Sequence, residues 1–168
     1  MTQHSQSGFT LIETLVASMI LIIGLMAAFQ AATSALNLSV TIQNSLVASN
    51  LAQEGVEIVH AIRDGNWFSG NAFDTGLRGC PYPSNCRGEW DQLTVGNPAG
   101  SPPLQLDPST GLYQYNTGPA TPFTRSISTD SIKVSGTTVA ILVRVVVSWT
   151  ERGVAKSLMV EDYVYDWN

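Results

Sequence analysis

The chain has 168 residues, 44% of them hydrophobic and only 12% charged, about half the charged share usual for a soluble domain. Its net charge of -5 comes without any basic cluster, which excludes the dense Lys/Arg face of a nucleic-acid binder, and its apolar content excludes a largely disordered chain. Charge is also unevenly spread: none lies between Glu13 and Glu54, and all 8 Lys and Arg lie from Arg63 onward.

Residues Thr14 to Ala35 read TLVASMILIIGLMAAFQAATSA, uncharged and rich in Leu, Ile, Met and Ala. As a helix this segment is roughly 33 Å long, enough to cross a hydrocarbon core of about 30 Å. A buried core helix seldom stays apolar on every face for so long. A secretory signal fits poorly, because MTQHSQSG has no Lys or Arg and the apolar run is too long.

Glu13 stands out in this setting, since an acid at the bilayer centre costs on the order of 2.5–3.5 kcal/mol and less near the edge. The nearest Lys or Arg in the sequence is Arg63. The Glu13 carboxylate either sits at headgroup level without a partner or meets a cation from elsewhere, such as a newly exposed α-amino group of a neighbouring copy.

Gly8-Phe9-Thr10-Leu11-Ile12-Glu13 followed by an uncharged helix resembles the class III signal of type IV pilins and type II secretion pseudopilins. The resemblance implies cleavage after Gly8 by a prepilin peptidase and N-methylation of the new N-terminal Phe9. It also implies pairing of Glu13, then the fifth mature residue, with the N-terminal amine of an adjacent subunit during assembly. Cleavage would thus create the cation that Glu13 lacks. Two departures from the family stand in the sequence: the leader has His4 but no Lys or Arg, and Gln30 occupies a position where many pilins have Pro. The positive-inside signal is correspondingly weak, and Gly24 is the remaining weak point of the helix.

From Leu36 the sequence turns amphipathic. Val47, Ala48, Leu51, Ala52, Gly55, Val56, Ile58, Val59 and Ile62 form one helical stripe. Gly55 costs a helix roughly 1 kcal/mol against Ala, which points to a close strand or backbone contact there. Asp64-Gly65-Asn66 reads as a stop with Gly65 as C-cap, so Phe9 to Arg63 forms one helix of roughly 80 Å lying on a sheet. Residues 51–64 also resemble the corresponding helix of PilV-type minor pilins and of related pseudopilins. Gly65 to Pro122 reads as a long loop region with one short hairpin around Leu112 to Tyr115, and Trp67, Phe68 and Phe73 are expected to cover the helix end.

Cys80 and Cys86 are the only cysteines. The resemblance places them outside the cytoplasm, where a disulfide closing a small loop is expected. Their spacing is not C-x-x-C, and no His lies near enough for a zinc site. Phe123 to Val134 is a strand candidate. Val139, Ile141, Val143, Val145, Val147 and Trp149 then alternate with a period of two, Glu151-Arg152-Gly153 makes a tight turn, and Val154 to Trp167 returns.

The fold expected is α+β: a long N-terminal helix, membrane-spanning in its first half, packed on a small C-terminal antiparallel sheet. Its regions are a leader (1–8), a transmembrane or filament-core half-helix (9–35), an amphipathic half-helix (36–64), a loop region (65–122) and the sheet (123–168). No catalytic motif is present: His60 lies on a helix face where solvation or capping suffices, and Asp64, Asp74, Asp91, Asp107 and Asp130 stand singly. No enzyme activity, cofactor or metal is therefore expected. The resemblance implies a minor pilin that starts as a single-pass protein of the cytoplasmic membrane with its C-terminal domain outside, then enters a filament. Its partners would be prepilin peptidase and other pilin or pseudopilin subunits. The alternatives are a type II secretion pseudopilin and an uncleaved membrane-anchored binding module or adhesin.

Overall fold

The computed structural model describes residues 10–96 and 102–166. Among them lie one helix, α1 (Leu11–Phe68), and five strands: β1 (Pro103–Leu106), β2 (Tyr113–Gln114), β3 (Ala120–Val134), β4 (Thr137–Glu151) and β5 (Val154–Tyr165). The strands form one antiparallel sheet in the order β2-β1-β3-β4-β5, and the α+β expectation holds. The chain divides into two compact units, one ending at Gln43 and one starting at Asn44.

In the first unit the described residues of α1 are exposed except for half-buried Thr33 and Thr41. In the second unit Ala48, Leu51, Ala52, Gly55, Ile58, Val59 and Ile62 are buried along one side of α1. They share a core with Ile127 of β3, with Ile141, Val143, Val145, Val147 and Trp149 of β4, and with Val164 of β5. Period-3.6 and period-2 apolar patterns thus face each other. Val139 alone of the β4 series is exposed.

The two long hairpins close through two-residue turns with positive φ at both positions, Ser135-Gly136 and Arg152-Gly153. This is the type I′ geometry whose twist matches the flanking strands. Strand β5 ends at Tyr165, and Trp167 lies outside the described residues.

The helix does not stop at Gly65. It continues to Phe68 and closes in a Schellman motif: Asn71 N–H donates to Asn66 O at 2.9 Å, Gly70 N–H donates to Trp67 O at 3.1 Å, and Gly70 has φ +72. The extra turn is held by Asn66, whose buried amide donates to Phe73 O and Thr75 O at 3.1 and 2.7 Å. Phe73 is buried as anticipated, but Trp67 and Phe68 are 62% and 91% exposed and do not cover the helix end.

The loop region is more ordered than its composition implies. The hairpin around Leu112 to Tyr115 exists as β2 pairing with β1, and β1 in turn joins β3, so the sheet has five strands where three were expected. Four residues, Pro-Leu-Gln-Leu, are too few to show a period.

Candidate assembly site

Glu13 lies in the first turn of α1, exposed, with its own N–H donating to Thr10 O at 3.1 Å. A carboxylate there faces the positive end of the helix dipole. Gly8 and Phe9 lie outside the described residues. Three hydroxyls beyond Glu13 bond within the helix: Thr14 donates to Leu11 O, Ser18 to Leu15 O, and Thr33 to Phe29 O and Gln30 O. Self-bonding of this kind suits these three groups to an apolar surrounding. By length and composition α1 can cross a membrane.

Cys80 and Cys86 form a disulfide. Both are buried, and their main chain is used as well: Ile127 N–H donates to Cys86 O at 2.8 Å and Thr129 N–H donates to Cys80 O at 2.7 Å. Strand β1 pairs with β3 only as far as Thr124. The disulfide loop therefore occupies the next stretch of the same β3 edge.

Polar contacts that sequence reading missed tie the helix to the sheet. His60 does more than face solvent: its Nε2 lies 2.7 Å from Asp162 Oδ2 on β5, and Arg63 Nη2 lies 3.2 Å from its Nδ1. Arginine only donates, so Nδ1 accepts and Nε2 donates to the carboxylate. That hydrogen bond, foremost, holds the Asp162 carboxyl below its ordinary range. Arg125 is 1% exposed and pairs with Glu54 at 3.0 Å, also donating to Leu51 O and Gly88 O at 3.3 Å each. The available signal was parity, because Arg125 shares a strand face with Phe123 and Ile127. Three of the five isolated acids also find cations: Asp74 pairs with Arg78, Asp64 with Arg63, and Asp130 with Arg144, which also meets Glu161.

Among the described residues no group of three or more His, Cys, Asp or Glu is arranged to hold a metal ion. The functional features are an apolar helix with one acid near its start and a sheet fastened to its second half.

Residues 3–29 match the family model described as the prokaryotic N-terminal methylation motif. No curated protein and no solved structure matches the chain. The motif supports a type IV pilin-like protein, marks a structural family rather than an enzyme, and belongs to proteins that prepilin peptidase processes and that assemble with other pilins.

Proposed function

We propose that this pilin-like chain is a minor pilin of a type IV pilus, made as a single-pass precursor in the cytoplasmic membrane with its C-terminal domain outside. Prepilin peptidase cuts after Gly8 and Phe9 becomes the methylated N-terminus. The carboxylate of Glu13 then docks on the α-amino group of a neighbouring subunit. The observation behind this reading is the position of Glu13, the sole charge before Glu54, in the first turn of an exposed apolar helix and inside the methylation motif.

The physical sequence is short. Before cleavage Glu13 has no cation in its own apolar segment, so its carboxylate is poorly matched to lipid. Cleavage supplies an amine, and pairing between copies offsets the desolvation of both charges. Moving the helix from lipid into a core of like helices exchanges one apolar surrounding for another, and packing plus the new pair provide the gain.

Mass spectrometry of the N-terminal peptide from native membranes tests processing: a chain starting at Phe9 and heavier by one methyl group is expected. An uncleaved Met1 start, in cells whose other prepilins are processed, overturns the reading and leaves a membrane-anchored binding module. Glu13→Ala is expected to be cleaved yet absent from purified filaments. Normal incorporation of that variant overturns the pairing role. Deleting the gene should remove surface pili, whereas intact pili with failed protein secretion would identify a pseudopilin instead.

A further inference from the structure

In the unit from Asn44 onward, the sheet extends past the helix that covers it. α1 ends at Phe68, while β3 and β4 stay paired out to Val134 and Thr137. The chain leaving α1 turns back beside this uncovered end, and the result is a cleft of about 470 Å3, within the range of ligand sites. Its lining includes Trp67, Asn71, Arg78, Lys133, Thr138 and Asp166.

Two of these groups are presented in ways a packing role does not require. Trp67 is 62% exposed although it sits in the last turn of a helix with a buried side. Arg78 is held by Asp74, itself 1% exposed, through two parallel bonds of 2.6 Å from Nε and Nη2, while the Arg78 side chain remains 65% exposed. A buried carboxylate thus fixes the plane of an outward guanidinium and leaves Nη1 for a further acceptor, the fork geometry suited to a second carboxylate. Lys133 adds another cation to the same cleft.

We propose that this cleft binds a saccharide bearing a carboxylate, with the sugar's C–H face on the Trp67 indole, the acid on Arg78 and Lys133, and ring hydroxyls on Asn71 and Thr138. A mostly polar wall with one aromatic face fits a ligand that is hydroxylated at its edges and apolar on one face. Two cations in a chain of net charge -5 do not make a nucleic-acid track. This activity is additional to filament assembly and is measured without it.

The test is calorimetric titration of the full chain in detergent with a galacturonic acid tetramer, beside a neutral galactose tetramer. The acidic tetramer should bind saturably, and the neutral one about tenfold more weakly or worse. Trp67→Ala and Lys133→Gln, both at exposed positions, should each weaken acidic binding by about tenfold while leaving the melting temperature unchanged. No binding, equal binding of the two tetramers, or either variant binding as tightly as the parent overturns the proposal. Processing and pilus incorporation of the same variants should be normal, so failure here is distinct from failure of the minor-pilin reading.

Discussion

Gly55 shows how one residue sets the approach of a helix to a sheet. A Cβ built there would lie 2.7 Å from Val145 Cγ1, 3.2 Å from Val145 Cγ2 and 3.3 Å from Arg125 Cδ. Val145 is fully buried and cannot move aside. Alanine would gain about 1 kcal/mol in helix propensity but must displace the strand, and overpacking of this kind costs about 1–3 kcal/mol. Gly55→Ala should therefore lower the melting temperature of the full chain in detergent; a rise would show that the helix shifts freely. At Asp162, the hydrogen bond from His60 depresses the carboxyl below its ordinary 3.8, so its contribution is complete above about pH 4 and is lost as pH falls through the lower folded-state value. The group is 43% exposed and screened, which limits the effect to about 1 kcal/mol or less. Asp162→Asn should flatten the acid limb of stability below about pH 4 in thermal melts, and identical limbs in parent and variant would remove His60–Asp162 as its source.

Among the elements, the segment from Cys80 to Cys86 does the work of a strand without being one. Its two half-cystines offer carbonyls to Thr129 and Ile127 on the β3 edge where β1 has ended. An open strand edge invites pairing with other chains, and the disulfide holds the cover in place. Replacing both cysteines by serine should cost about 2–3 kcal/mol for so short a loop. It should also raise amide exchange at Ile127 and Thr129 more than at Val143 or Val145 in the sheet centre. Uniform exchange across β3 and β4 would mean the disulfide acts on global stability alone. The Schellman ending of α1 works at the same scale, with Gly70 reversing the chain once Asn66 has fastened the last turn.

For the whole molecule, the buried core begins at Ala48 among the described residues, with half-buried Val47 packed against it. A chain beginning at Asn44 retains the inner stripe of α1, the five strands and the disulfide, including the Asn44 to Glu151 hydrogen bond of 3.3 Å. It should be soluble and melt in one cooperative transition with the far-ultraviolet spectrum of an α+β protein. An aggregated or non-cooperative product would mean that residues before Asn44 are needed to complete the fold. Among the described residues before Asn44 none is buried, and the exposed Leu, Ile and Met side chains there need lipid or other helices around them.

Legible in the sequence were the apolar helix, the isolation of Glu13 in it, the inner stripe from Val47 to Ile62, the three long strands of the sheet and the turn at Arg152-Gly153. Each is written in a local period or a local charge pattern, and burial obeys those periods wherever one face meets a core. Tertiary structure alone decided the end of α1, because the anchor for Asn66 comes from the carbonyls of Phe73 and Thr75 rather than from the residues beside Gly65. It also decided that Pro103–Leu106 joins the sheet, that His60 reaches Asp162 across 102 residues of chain, and that Arg125 is buried against Glu54. Those contacts pair groups distant in sequence, and no local pattern encodes which distant carbonyl or carboxylate will satisfy a given donor.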